Sequence, residues 1–537
     1  WGKRFAVYST KSQIKEWSLD GEFIRTTRIK NLFDTFGSQF GNIYKTTKYI
    51  SELNVDFNLG ETPFTNRDEL TNDYDYTYVS DWIIGRLTAS TKKLSIKDES
   101  DIISISSFEY YPHEDYRFPL AFKHSINVGT TMEISTICDY SPQGILISKI
   151  NRTPNYDMLD RSLLYEYNPE YNYRFLTKIV NFFGKAQNII INEEKGTIDQ
   201  TIDENGFAAS FFYDEFNQKF KTRSYDGTES VYVLRWITEN HEDYMPGASW
   251  YSWECNLGEK PNITIYNKLG QAIRLVSYNQ NGDKVYIETL YDNFGRIIST
   301  TNPHFPKDTQ YSYQSTTYDE LNRPLTLVMP SEIGLEENLT SFRYGANYTE
   351  TISTNGGCSK KVNNAKGEVV NSYDENGNVV SNNYYSNGLV KTSKINNNNA
   401  TEVYYEYDVN GNIKMEASPD KGTLQYEYNP YNEIESFRDH LGNVTYYDYD
   451  QLGRLKIIEN IANDGASIIT NRNYSTTDGK FGVLESIVKG PLDNPIHKLI
   501  YDYDPLLRII SETEIINGTE YIDHYTYDSR KHSVNYI

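Results

Sequence analysis

A five-residue phrase, Tyr-Asp/Asn-x-x-Gly/Asn, returns along this chain at intervals close to the length of one β-hairpin, and no other feature limits the possible folds so tightly. Its cleanest copies are Tyr407-Asp408-Val409-Asn410-Gly411, Tyr428-Asn429-Pro430-Tyr431-Asn432 and Tyr449-Asp450-Gln451-Leu452-Gly453, spaced 21 residues apart. Tyr266-Asn267-Lys268-Leu269-Gly270, Tyr291-Asp292-Asn293-Phe294-Gly295 and Tyr318-Asp319-Glu320-Leu321-Asn322 stand upstream, at intervals of 25 and 27 residues. Tyr373-Asp374-Glu375-Asn376-Gly377 and Tyr503-Asp504-Pro505-Leu506-Leu507 extend the series, with weaker echoes near Tyr344, Tyr385, Tyr474 and Tyr527.

Each position in the phrase has a physical reason. In Tyr447-Asp448-Tyr449 the two rings lie two residues apart, so a strand turns them to one face and the acid to the other. Asp450 sits where an Asx turn starts, its carboxylate placed to accept backbone N–H groups further along. Gly453 supplies the left-handed conformation of a tight reversal, and Asn, its commonest replacement here, also tolerates that conformation. Arg454-Leu455-Lys456-Ile457-Ile458 then resumes an alternating strand, which makes the unit a β-hairpin.

A lone hairpin is marginal in water, so the units must cover one another. Tyr405, Tyr407, Tyr426, Tyr428, Tyr447 and Tyr449 are therefore expected to pack against adjacent hairpins. Stacking in chain order gives a quasi-one-dimensional sheet, and a twisted sheet of such length must curl. The expected fold is all-β: a long, curved array of β-hairpins forming an incomplete shell. Residues 1–260 read as a degenerate repeat region, continuous with a regular one at 261–537.

Composition agrees with strands and narrows the partners. The chain has 537 residues, too many for one compact core, and 48 are Tyr beside 23 Phe and only 5 Met. A formal charge of -22, with no basic stripe, disfavours nucleic acid, because phosphate binding depends on clustered cations. No run of about 18 apolar residues is present to span a bilayer as a helix. Trp1-Gly2-Lys3-Arg4-Phe5 lacks a signal-peptide pattern, and the last residues, YTYDSRKHSVNYI, stop inside what reads as another strand. Both suggest an internal piece of a longer protein. Cys138, Cys255 and Cys358 are far apart and without metal spacing, so they are read as buried small side chains.

Motifs that carry chemistry are scarce, and no catalytic, cofactor or metal residue is assigned. His241-Glu242-Asp243 and Pro112-His113-Glu114-Asp115 place an imidazole beside carboxylates, but neighbours on a strand face opposite ways. Solvated loop residues are the better reading. Asp439-His440 beside Gly442 belongs to a turn, without a nucleophile-elbow pattern. Asp374-Glu375-Asn376-Gly377-Asn378 has the oxygens of a calcium loop without its distal Glu, so turn chemistry accounts for it. Residues 395–402, INNNNATE, read as a polar hairpin tip suited to disorder. Asn443-Val444-Thr445 and Asn517-Gly518-Thr519 would matter only on a glycosylating route.

The phrases LYDNFGRIISTTNP, TYDELNRPLTLVMP and DYDQLGRLKIIEN resemble the YD repeats of the Rhs and teneurin superfamily. Further upstream, residues 81–88 (DWIIGRLT), Asn181-Phe182-Phe183-Gly184, Asp203-Glu204-Asn205-Gly206, Tyr213-Asp214-Glu215-Phe216-Asn217 and Tyr225-Asp226-Gly227-Thr228 are similar to B components of insecticidal Tc toxin complexes. Residues 262–296 form the longest such stretch. The resemblance implies a spiral of hairpins closing into a hollow cocoon, which in polymorphic toxins encloses the chain's own C-terminal toxic domain and in teneurins serves cell-surface adhesion. The motif residues it carries over are structural: Tyr266, Gly270, Tyr291, Asp292, Gly295, Arg296, Tyr318, Asp319, Tyr373, Asp374, Gly377, Tyr407, Asp408, Gly411, Tyr428, Tyr449, Asp450, Gly453 and Arg454. One departure is that no DPxGxxD-like self-cleavage segment occurs; Asp504-Pro505 offers only the dipeptide, inside a repeat.

Three classes of function follow. The first is a bacterial shell segment, secreted or at the cell surface, whose partners are its own C-terminal effector domain and a delivery machinery. The second is an adhesion or glycan-binding repeat protein, which would need exposed aromatic patches. The third is an enzyme, which would need a pocket of convergent polar groups. The shell is the favoured reading, with no cofactor and no catalysis.

Overall fold

The computed structural model describes residues 9–33, 42–54, 64–81, 83, 85–97, 99–154, 160–169, 173–256, 258–330, 338–527 and 534–536. Trp1 to Phe5, Trp82, Ile84 and, in the last quoted stretch, residues 528–533 and 537 lie outside them. The described residues contain no α-helix; short 3-10 turns at Val79–Asp81 and Asn399–Thr401 interrupt an otherwise all-β chain. Consecutive strands pair antiparallel, as Lys284–Tyr291 does with Ala272–Tyr278 before it and Ile297–Thr301 after it. The array of hairpins is therefore the one the repeat predicts.

The turn chemistry is local. Gly295 donates its N–H to the Asp292 carbonyl at 3.0 Å, while Asp292 Oδ1 accepts the N–H groups of Phe294 and Arg296, both at 2.9 Å. One side chain thus satisfies the donors that a reversal leaves open. Gly295 is left-handed, and at the equivalent place Asn217, Asn322, Asn432 and Leu507 also have positive φ. In several hairpins that carry the tyrosine phrase, the return strand has one extra residue just past the turn. Tyr449 pairs with Leu455 but Asp448 with Ile457, so Lys456 bulges; Ile298 and Leu325 bulge in the same way. A bulge sharpens the right-handed twist and interrupts the ladder locally.

Two compact units divide the chain. The first comprises residues 1–186, 362–372 and 378–537, and the second residues 187–361 and 373–377. In the second, Ile237, Ile263, Ile265, Ile273, Val276 and Tyr286 form a buried cluster, with Tyr251, Trp253 and Tyr291 packed against it. Elsewhere most strand residues are half-buried, as a single layer of strands demands. Tyr405, Tyr407, Tyr426, Tyr428, Tyr447 and Tyr449 are all half-buried.

Two expectations need correction. The cysteines are not buried: Cys138 and Cys255 are half-exposed and Cys358 is exposed, because each stands on a thin strand layer rather than in a core. The 395–402 tip is not disordered but a hydrogen-bonded turn, in which the Asn398 side chain caps the N–H of Ala400 at 3.0 Å and Thr401 Oγ1 donates to the Ile395 carbonyl at 3.2 Å.

Because Gly270 has φ +78° with open space where a Cβ would go, Gly270→Ala tests the backbone requirement alone. The expected loss is about 1 kcal/mol of unfolding free energy, read from the urea midpoint at unchanged slope.

Candidate functional site: the coupled Tyr-Asp-Gly-Arg turns

A bulge leaves a carbonyl beside a gap in the ladder, and in at least seven hairpins the tyrosine of the following hairpin reaches it. Tyr318 Oη donates to the Ile297 carbonyl at 2.7 Å, Tyr344 to Pro324 at 2.7 Å, Tyr474 to Leu455 at 3.0 Å, and Tyr503 to Leu484 at 2.7 Å. Tyr291, Tyr407 and Tyr449 do the same to Ala272, Val390 and Ile434, each at 2.9 Å. The acceptor is always the residue that opens the return strand of the hairpin before. Tyr266 and Tyr428 hold the same bulge position, Tyr266 with its ring stacked 3.9 Å from that of Trp250, and Tyr373 ends its strand half-buried.

The arginine after the glycine joins the same contact. Arg296 Nε donates to Asp292 Oδ2 at 2.7 Å, and its guanidinium lies 4.7 Å from the ring of Tyr318 in the next hairpin. Arg323 repeats this with Asp319 and Tyr344, Arg454 with Asp450 and Tyr474, and Arg508 with Asp504 and Tyr527. Arg86 pairs with Asp75 and lies 4.9 Å from Tyr110, so the Gly85-Arg86 phrase is a copy lengthened by an insertion. Carboxylate, guanidinium, ring and carbonyl therefore form one relay from hairpin to hairpin. The repeat phrase reveals neither the contact of the arginine with the next ring nor the task of the tyrosine hydroxyl.

Where the phrase departs from Asp and Arg, the turn finds another partner. Asn412 replaces the arginine and donates to Asp408 Oδ2 at 2.9 Å, while Gly411 is left-handed. Asp374 Oδ1 accepts from Asn376 at 2.9 Å, with Gly377 closing the turn at 3.1 Å. At 429–433 the polarity is reversed: Asn429 donates to Glu433 at 2.8 Å, and both Glu433 oxygens accept from Arg161 at 2.7 Å. Arg161 also lies 3.9 Å from the ring of Tyr431, whose hydroxyl donates to the Asn151 carbonyl at 2.8 Å.

That contact is one of a series within the first unit. Arg25 donates to the Ala365 carbonyl at 2.9 Å, Ser386 Oγ to the Leu94 carbonyl at 3.2 Å, and Asn127 to Asn410 at 2.5 Å. Phe481 lies 5.8 Å from Phe183, and Lys185 pairs with Asp478 at 2.5 Å. Successive turns from 364 to 482 thus seat on successive hairpin ends between 25 and 185. Gly453 completes the series, since a Cβ there would lie 3.1 Å from Arg161.

The other candidates build structure. Asp243 is not a solvated loop residue: it is fully buried, accepting from Lys284 at 2.8 and 3.0 Å and from the Tyr286 hydroxyl at 2.6 Å. Strand alternation does not apply there, because a tight turn closed by Tyr244 N–H to the His241 carbonyl sends Asp243 inward. Burial alone would lower the Lys284 ammonium, but Asp243 and Glu242 hold it above its ordinary value. His113 stacks on Tyr78 at 4.9 Å and meets Asp81 at 3.0 Å, while Arg117 keeps the Asp115 carboxyl down to about 2. Asp439 Oδ1 accepts from Leu441 and Asn443, both at 2.9 Å, as a turn residue should. A groove of about 850 Å³ in the first unit is lined by Tyr385, Tyr404, Glu99, Glu406, Glu427 and Lys391. Among the described residues no group of His, Cys, Asp and Glu has metal-site geometry.

Tyr318→Phe keeps the ring on Arg296 and removes only the hydroxyl. The expected cost is about 0.5–1.5 kcal/mol in urea unfolding. Burial pushes the Tyr111, Tyr286 and Tyr431 phenols from 10.0 up to about 12, with Asp139 and Asp243 adding to the first two. A phenol raised in the folded state stabilises fully below its unfolded value and ceases to as pH rises through the folded one. Stability should therefore fall between pH 10 and 12, read as a falling urea midpoint across that range; a midpoint that stays constant from pH 10 to 12 would contradict this.

The chain matches no family model and no curated protein. Solved structures do match it. The crystal structure of TcdB2-TccC3-TEV has a TM-score of 0.72 at 10% identity, covering 97% of this chain and 36% of that one. TcdB2-TccC3 without its hypervariable C-terminal region gives 0.67 at 10%, covering 97% and 39%. The Photorhabdus luminescens Tc holotoxin pore gives 0.53 at 12%, covering 96% and 31%. This chain spans a little over a third of the first two. Its fold is therefore that of these TcdB2-TccC3 structures, the array of hairpins that its turn phrases predict.

Proposed function

We propose that this chain is a wall segment of a larger secreted or cell-surface protein, and that the wall encloses the C-terminal effector domain of the same polypeptide. The observation that carries this reading is the series of turns seated on hairpin ends that lie 272 to 340 residues earlier in the chain. A sheet whose edge-on turns are locked to another stretch of itself is a barrier, not merely a ribbon. The repeated Tyr, Asp, Gly and Arg do mechanical work, and no catalytic step is required of them. We take residues 1–260 and 261–537 as one continuous wall, the first part with more irregular turns. The solved TcdB2-TccC3 without its hypervariable C-terminal region keeps the matched fold, which supports a wall whose fold does not depend on a C-terminal domain.

A second reading, a surface that binds glycans or neighbouring cells, is favoured by one patch. On the strand Glu229–Trp236, Tyr232, Leu234 and Trp236 are all exposed on one face. Such an apolar patch suits a partner.

Limited proteolysis of the full polypeptide separates the two. With an enclosing wall, the enclosed effector domain resists protease in the parent and becomes cleavable in Tyr431→Lys, which sets a second cation against Arg161 and removes the ring and hydroxyl contacts. Equal cleavage of that domain in both proteins would reject enclosure.

A further inference from the structure

At the 241–244 turn the second unit brings a lysine, two carboxylates and a phenol into one contact that the repeat does not require. Lys284 Nζ donates to both oxygens of Asp243, at 2.8 and 3.0 Å, and meets Glu242 Oε1 at 2.6 Å. The Tyr286 hydroxyl donates to Asp243 Oδ1 at 2.6 Å and ties it to the buried cluster of Ile237, Ile263, Ile265, Ile273 and Val276. Asp243 is the one fully buried carboxylate among the described residues, whereas the Glu242 side chain is 75% exposed. The turn itself is fixed: Arg274 donates to the Asp243 and Tyr244 carbonyls at 2.8 and 3.2 Å, and the Asp243 N–H donates to His241 Nδ1 at 3.2 Å. An amine held by both oxygens of a carboxyl lies about 3 Å from the carbon between them, the separation of reacting atoms in a near-attack geometry.

We infer that Lys284 and Asp243 join in an autocatalytic intramolecular isopeptide bond, with Glu242 as proton shuttle and Tyr286 holding the carbonyl oxygen. The resting pair is ammonium and carboxylate. One ammonium proton passes to Asp243 Oδ2, giving an amine and a carboxylic acid, which apolar surroundings penalise less than two charges. Nζ then attacks Cγ while the Tyr286 hydroxyl supports the charge that develops on Oδ1. Glu242 takes a second proton from Nζ and returns it to Oδ2. The Cγ–Oδ2 bond breaks and Oδ2 leaves as water past the exposed Glu242; Nζ keeps one hydrogen, and nothing is oxidised or reduced. A neutral amide replaces a buried ion pair, which removes the desolvation cost of both charges. The bond ties the turn to the start of the strand Lys284–Tyr291, 41 residues on. It goes beyond the shell reading and does not depend on it.

Intact mass spectrometry of the purified protein, denatured for the measurement, tests this. The chain should be lighter than its sequence by one water, and a tryptic digest should yield a branched peptide joined through Asp243 and Lys284, with cleavage after Lys284 lost. Lys284→Ala and Asp243→Ala should each restore the unlinked mass. Sampled during cell-free synthesis, Glu242→Gln, a change at an exposed side chain, should form the bond at least about tenfold more slowly than the parent. The unlinked mass in protein with native strand dichroism, together with ordinary cleavage after Lys284, would overturn the inference. An unchanged rate in Glu242→Gln would overturn the role given to Glu242. Neither result bears on enclosure, which protection of the effector domain reads separately.

Discussion

One hydrogen bond sets the terms for the others: a tyrosine hydroxyl donated to the carbonyl that the preceding hairpin leaves at its bulge. The bulge twists each hairpin but breaks its ladder, and a thin layer of strands has little buried apolar surface to offset an unmet carbonyl. Supplying the donor from the next hairpin repairs the defect and ties the two units together in one step. Phenylalanine would cover the same surface and leave the carbonyl open. That is a physical reason for a chain with 48 Tyr and only 23 Phe.

The charged residues work within the same frame. Asp292 closes its own turn through backbone N–H groups and at the same time holds Arg296 beneath the ring of Tyr318. Burial raises the Asp292, Asp319 and Asp504 carboxyls, but the backbone donors and the guanidinium outweigh it and leave each below the ordinary range. Reversing the pair to Asn429 and Glu433 keeps the internal bond and frees an acid for Arg161, far away in sequence. A departure from the repeat is therefore a change of partner, not decay.

Much of this was legible from sequence because turn chemistry is local. Asp450, Gly453 and their kin act within five residues, so their type and spacing alone reveal the hairpin. The hydroxyl of Tyr474 acts on Leu455, 19 residues away, and depends on where a bulge falls; nothing in a string of letters marks a bulge. Arg454 was recognisable as part of the phrase, yet its contact with the Tyr474 ring follows only from strand order. Asp243 misled for the opposite reason. Alternation is a rule for strands, and a turn at 241–244 suspends it, placing a carboxylate among isoleucines where Lys284 and Tyr286 must meet it.

A chain of hairpins joined only to its neighbours is a one-dimensional array, and such an array opens from any weak link because each unit is held on two sides. The relay of tyrosine and arginine stiffens it along the chain without changing that dimension. Contacts such as Tyr431 on Arg161 add a second direction, since a hairpin in 364–482 is then held by the units beside it and by an end hundreds of residues earlier. Freeing it means breaking both sets at once. The seats are also unlike one another: Arg161 takes a tyrosine, Phe183 a phenylalanine, and Asn127 an asparagine. Slipping the two stretches by one hairpin would put Tyr431 where Asn410 belongs, so the mismatch itself fixes the register in which the two stretches meet.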